Sequence, residues 1–423
     1  MIYGGLIIMK KKSFGLKVFF ILLVIGILLI ANVFIGQKIL DRSWVYDGAV
    51  QNINQSAGDS FCSNRLVICV PYELYFVDSK GNRGSKNKDE FLMFYPNSVD
   101  YKCNFQTEER KLGIYSAPVF TGILNVEADF SDIVLPDYPS HVYHPEDAYI
   151  IYDISDTNIM ERPVFIQNGK EKQTYYTTEG LCSKIDLDKN VKIKTSVKIK
   201  GAAKMVFNIN ALAAKVHVDG DWVSPGFTGY SHLPDIRKVT ENGFSAEWNI
   251  AFGSISKRTQ VGFDFISPVN LYDKLRRANT YAFLFILVPF IVLFLFEIFA
   301  SVTLHPMNYL LCGAASVIFF LLLLSLSEHI NFIVSYVLGA LASGILISVY
   351  TAMVTKKYKL GSVMALICII LYGYLMVCLM SEDYALLMGA IFAFIVLASV
   401  MFITRKVDWT NLNKTEHTDL IEA

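Results

Sequence analysis

Charge is scarce in this chain. Aspartate, glutamate, lysine and arginine make up 18% of its 423 residues, 53% are hydrophobic, and the two signs cancel to a formal net charge of zero. Soluble domains carry roughly a quarter charged residues, so the shortage excludes a wholly soluble chain. With no basic excess, neither a nucleic-acid partner nor electrostatic attachment to an acidic lipid surface is indicated. Enzyme signatures are missing as well: there is no H-E-x-x-H zinc helix, no phosphate-cradling glycine-lysine loop, no G-x-S-x-G nucleophile turn and no C-x-x-C pair. No cofactor, metal or catalytic residue is implied.

What the chain has instead is long apolar runs. Lys10, Lys11, Lys12 and Lys17 precede an uninterrupted one over 18–36, about the twenty residues that cross a bilayer core. No A-x-A-like cleavage site follows it, so it reads as an uncleaved anchor rather than a signal peptide. Met9, directly before the lysines, is an alternative start to Met1. Five further runs, at about 281–299, 308–326, 332–353, 361–380 and 385–403, bring the expected transmembrane helices to six. Lysine and arginine in short connectors mark the cytoplasmic side. Lys356, Lys357 and Lys359 lie between spans four and five, and Arg405 and Lys406 follow span six, whereas Ser327-Glu328-His329 and Ser381-Glu382-Asp383 contain neither residue type. The expected organisation is a cytoplasmic N-terminus (1–17), an anchor (18–36), an extracytoplasmic domain (41–279), a five-helix membrane region (280–404) and a cytoplasmic tail (405–423).

The segment 41–279 has strand periodicity. Val191, Ile193, Thr195, Val197 and Ile199 alternate with Lys192, Lys194, Lys198 and Lys200 among others, the two-residue period of a half-buried strand. Similar runs at 66–76, 114–126, 149–154, 205–209, 215–218 and 261–266, separated by Asp, Asn, Gly and Pro clusters, predict an antiparallel, sandwich-like β-rich domain. Cys62, Cys69, Cys103 and Cys182 fall in it and can form two disulfides in three connectivities, while Cys312, Cys368 and Cys378 fall in the spans. Arg110, Asp153, Trp222 and Trp248 are candidates for a groove, although tryptophans in such domains commonly fill the core.

Four polar residues near the membrane ends are the candidate functional residues. Glu328 and His329 close the run 308–326, where an acid beside an imidazole suits either a proton relay or an ordinary polar turn. His305 precedes Pro306 at the other end of the same run. At about 1.5 Å per residue the two histidines stand nearly a membrane thickness apart, which argues against a shared metal centre. Glu297 lies just inside the end of its span and needs a partner, for which His305 is the nearest candidate.

Several blocks resemble the CreD family of bacterial inner-membrane proteins. They are Glu109 to Tyr115 with Val119-Phe120; Trp222 to Gly229 with Leu233-Pro234; Gly243 to Trp248; Pro268-Val269 with Tyr272 and Arg276; His305-Pro306, Tyr309, Gly313 and Phe320 to His329, with Phe332 and Tyr336; and Thr404 to Trp409. The sequence departs from the family pattern at Asn308, Thr280 and Asn64-Arg65-Leu66. The resemblance implies an inner-membrane protein of envelope integrity, stress response and colicin tolerance, with no catalytic residues to carry over. The resulting expectation is a multi-pass α-helical membrane protein with a large β-rich, periplasmic domain. Its spans would have the lipid bilayer as partner, and it would act non-enzymatically through the extracytoplasmic domain, with envelope proteins or cell-wall components as the further partners. The alternatives are a transporter, which needs ionisable residues deep in the bundle, and a membrane-embedded or envelope-processing enzyme, for which only Ser325 or Ser327 near His329 suggests a nucleophile.

Overall fold

The computed structural model of the chain describes residues 14–77, 83–251, 259–265, 271–300, 302–380 and 385–405. The lysines at 10–12, Pro268-Val269, the connector 381–383 and residues 406–423 lie outside the described residues. Two compact units form, one from Tyr46–Pro268 and the other from Met1–Val45 with Val269–Ala423.

The first is the β unit. Its strands are β1 (Ser60–Val77), β2 (Arg83–Phe94), β3 (Ser98–Leu112), β4 (Tyr115–Phe130), β5 (His141–Tyr143), β6 (Tyr149–Ile154), β7 (Phe165–Gln167), β8 (Lys170–Lys172), β9 (Tyr175–Thr177), β10 (Gly180–Lys184), β11 (Val191–Ile209), β12 (Ala213–Gly220), β13 (Pro225–Gly226), β14 (Ile236–Thr240), β15 (Gly243–Ala251) and β16 (Thr259–Phe265). Along β11 the predicted alternation holds: Val191, Ile193, Val197 and Ile199 are buried and the intervening lysines face outward. Those lysines meet acids on the antiparallel neighbour. Lys192 lies opposite Asp129 at 3.4 Å and Lys194 opposite Glu127 at 2.9 Å, cross-strand pairs worth about 0.2–1 kcal/mol each.

Strand β11 also turns a corner. Val191–Ala202 pairs with β4, and Lys204–Ile209 pairs with β16, while Met205–Phe207 runs parallel to β1. At the corner Ala203 has a φ of 57°, and a Cβ on Gly201 would stand 2.7 Å from the Phe120 ring. A strand that changes partners at such a bend lets one hydrogen-bonded network fold over a large core, here reaching from Leu66, Ile68 and Val70 to Phe105, Phe207 and Trp248. The arrangement is not wholly antiparallel as expected: β1 with β11 and β3 with β12 are parallel pairs. Each of these pairs joins strands distant in sequence, as parallel pairing requires.

All seven thiols are unpaired, so the four cysteines of the β unit form none of the disulfides that the three connectivities allow. Cys69 and Cys182 flank β6 on opposite sides, opposite Tyr149 and Ile151. Two strand spacings of about 4.8 Å put their Cα atoms beyond disulfide reach. Burial, joined by the charge of Glu179, pushes the Cys69 thiol up to about 12. The folded chain therefore holds this proton more tightly than the unfolded one. Stability is unaffected below about pH 8, then falls as pH rises through the unfolded thiol's range, by up to ~1.4 kcal/mol per pH unit, until the folded value is reached. Between about pH 8 and 10.5, wild type should lose more unfolding free energy than Cys69→Val; parallel losses would contradict this account.

The second unit is helical: α1 (Phe14–Ser56), α2 (Leu271–Thr280), α3 (Ala282–Ala300), α4 (Pro306–Ser327), α5 (Phe332–Thr355), α6 (Tyr358–Met380) and α7 (Ala385–Thr404). Among the described residues six spans are long and apolar enough to cross a membrane, with α2 and α3 counted as one. Apolar side chains such as Met353, Ile369 and Phe394 are about 70% exposed, as expected where lipid covers a helix surface. The domain limits expected at 41 and 279 are displaced. Helix α1 runs unbroken past residue 36 to Ser56 before Gly58, because hydropathy marks where a helix is apolar and not where it stops. Residues 271–280 form an amphipathic helix of the membrane unit, with Tyr272, Leu275 and Ala278 buried.

Candidate functional site at the two mouths of the membrane unit

At about 1.5 Å per residue, the 22-residue α4 is some 33 Å long and has a polar cluster at each end. At its N-terminal end Glu297, near the end of α3, accepts from Lys17 Nζ of α1 at 2.5 Å and from the Leu304 amide at 2.5 Å. The expected pairing of Glu297 with His305 does not occur. His305 is the N-cap of α4, its Nδ1 accepting from the Met307 amide at 3.2 Å while Pro306 occupies the first helical position. Lys357, between α5 and α6, donates to the Ala300 carbonyl at 2.9 Å, so the α3–α4 and α5–α6 connectors meet the first turn of α1 at this mouth.

At the other end Glu328 and His329 diverge. The Glu328 side chain is only 9% exposed; it accepts from Tyr272 Oη of α2 at 3.1 Å and lies 3.6 Å from Arg42 Nε of α1. Lys274 Nζ, also of α2, stands 5.8 Å from the centre of the Phe332 ring at the start of α5. His329 is exposed and its amide donates to Leu326 O. Ser327 Oγ donates to Leu324 O of its own helix at 3.0 Å and Ser325 is exposed. The two serines therefore do not form a nucleophile-base pair with His329 here. Among the described residues no group of three or more His, Cys, Asp or Glu side chains is placed to hold a metal.

Between the mouths a hydroxyl chain crosses three helices. Tyr372 Oη of α6 donates to Ser343 Oγ of α5 at 2.9 Å, Ser343 donates to Ala315 O of α4 at 2.9 Å, and Tyr336 Oη donates to Tyr372 O at 2.8 Å. Such interhelical bonds contribute about 0.6 kcal/mol each within a bilayer. These residues, together with Arg42, Tyr272 and Lys17 as partners, are absent from the candidates read from sequence. The signal for the chain was three hydroxyl side chains inside apolar runs. In the β unit the suggested groove is not formed: Trp248 is in the core, Trp222 packs on Phe265, Arg110 pairs with Glu108, and Asp153 with Arg65.

Two comparisons with known proteins bear on these six spans and the β unit. The family described as Inner membrane protein CreD matches residues 13–410. The Inner membrane protein CreD of Escherichia coli (strain K12) is 28% identical over 414 residues, an alignment covering 90% of this chain and 91% of that protein. This chain belongs to the CreD family of inner membrane proteins.

Proposed function

We propose that this protein supports cell-envelope integrity under stress without catalysing a reaction, with both termini cytoplasmic and the β unit acting on the extracytoplasmic side. The observation that carries this reading is the engagement of Glu328. Its two partners, Arg42 and Tyr272, belong to α1 and α2, the helices through which the chain leaves and re-enters the membrane unit around residues 46–268. An acid held by both connections suits a protein that transmits state between compartments through its own chain. The orientation rests on Lys17, Lys356 and Lys357 belonging to one mouth, while the α4–α5 turn at the other contains neither lysine nor arginine. Envelope proteins or cell-wall components are the partners this reading assigns to the β unit.

Alanine at position 328 is expected to destabilise the membrane unit by roughly 1–2 kcal/mol, between the values for exposed and buried ion pairs. At matched membrane abundance, Glu328→Ala and Arg42→Ala should each lower survival of a detergent or colicin challenge. His329→Ala should not. Full protection by the Glu328 and Arg42 variants would sink the reading. Labelling of single cysteines from outside the cell should reach position 329 and not 357, and the reverse order would overturn the orientation.

A further inference from the structure

The hairpin joining β3 and β4 ends in a bare apolar tip. Gly113 adopts a φ of 64° at the first central position of a two-residue turn, the conformation such hairpins need there. On either side of it Leu112 is 48% exposed and Ile114 is 51% exposed. Arg110 and Lys111 are exposed beside them. Nothing within 4 Å would meet a Cβ built on Gly113. Two large aliphatic side chains at the end of a long hairpin gain nothing from folding where they stand.

The next residue says where this tip points within the β unit. The Tyr115 ring packs edge-on against Tyr46, with centroids 5.8 Å apart. Tyr46 is the first residue of the β unit, where α1 arrives from its membrane-spanning part. Behind it, Val50, Ile53 and Ala57 of this segment and its turn pack with Ala117, Val119 and Ala202. Two residues before Tyr46 is Trp44, which is 72% exposed, an amphipathic ring of the kind that collects at membrane-water boundaries. The hairpin tip therefore stands at the end of the β unit from which the chain enters the bilayer.

We infer that the tip of the β3–β4 hairpin is a lipid-contact site: Leu112 and Ile114 enter the headgroup and upper acyl layer, and Arg110 and Lys111 lie at headgroup level. The β unit then touches the bilayer at a second point besides its covalent connections. Its long side chains bury apolar area in lipid while the cations reach water or phosphate.

A nitroxide attached at Ile114→Cys tests this in the full chain, reconstituted in vesicles of phosphatidylethanolamine and phosphatidylglycerol. Cys62, the one native thiol that is not buried, is replaced by serine. The control is Leu212→Cys, equally apolar, 46% exposed and next to Ala213, which pairs with Ser98 at the far end of β3, about 45 Å from the tip at ~3.3 Å per residue. The expected result is an oxygen-to-nickel-chelate collision ratio several-fold higher at 114 than at 212. Equal ratios would place the tip in water and overturn the inference. A label at 114 shielded from both reagents would mean that protein covers the tip, and would overturn it as well.

Discussion

Replacing Phe105 with alanine should destabilise the β unit by about 4 kcal/mol, the middle of the range for removing a buried phenylalanine. The ring is 2% exposed and lies 5.4–5.9 Å from the rings of Phe120, Phe244, Phe263 and Phe265. Glycine stands opposite it on both neighbouring strands, Gly122 on β4 and Gly220 on β12. A Cβ on Gly220 would sit 2.1 Å from the Phe105 ring, so the aromatic fills space that the glycines leave open. Truncation leaves a cavity bounded by rigid backbone on two sides, with little scope for collapse. Denaturant unfolding of the full chain, followed through the fluorescence of buried Trp248, measures this. Phe105→Leu should cost much less, and a loss under about 1 kcal/mol for Phe105→Ala would show that the site repacks. The same geometry predicts that Gly220→Val is poorly tolerated.

Glu297→Ala should destabilise the membrane unit by about 3 kcal/mol. The carboxylate is 12% exposed, and removing it strands the Lys17 ammonium, 24% exposed, and the Leu304 amide at the entry to α4. Glu297→Gln keeps an acceptor for the amide and loses only the ionic component, so it should cost less than half as much. Because most of the penalty comes from the partner left unpaired, Lys17→Met combined with Glu297→Met should be milder than Glu297→Ala alone. Thermal unfolding in detergent micelles distinguishes these outcomes. Additive effects of the two single changes would show that the pair is not coupled.

The spans and β11 were legible because one strong regularity governs each, an unbroken apolar run in the first case and strict alternation in the second. Strand β3 alternates as well, Val99, Tyr101, Cys103 and Phe105 inward, but its outer face is so polar that it does not stand out in a search for apolar runs. At the candidate site, local spacing pointed Glu297 to His305, eight residues away. The acid instead meets a lysine 280 residues distant, and no local pattern carries that contact. His305 needed no partner across the loop because its ring nitrogen caps the next helix. For Glu328 the polar turn was visible and its partners were not. Arg42 falls just beyond the first apolar run, and Tyr272 precedes the second, in stretches that resemble ordinary soluble sequence.

Helix α1 is tied to the rest of its unit by Lys17 at one mouth and by Arg42 at the other. From position 17 to position 42 is about 38 Å of helix at ~1.5 Å per residue. A lone span meets a thinner bilayer by tilting. This one cannot tilt by itself without breaking an ion pair, so a change in bilayer thickness must be met by the bundle as a whole or by parting one of the two clasps.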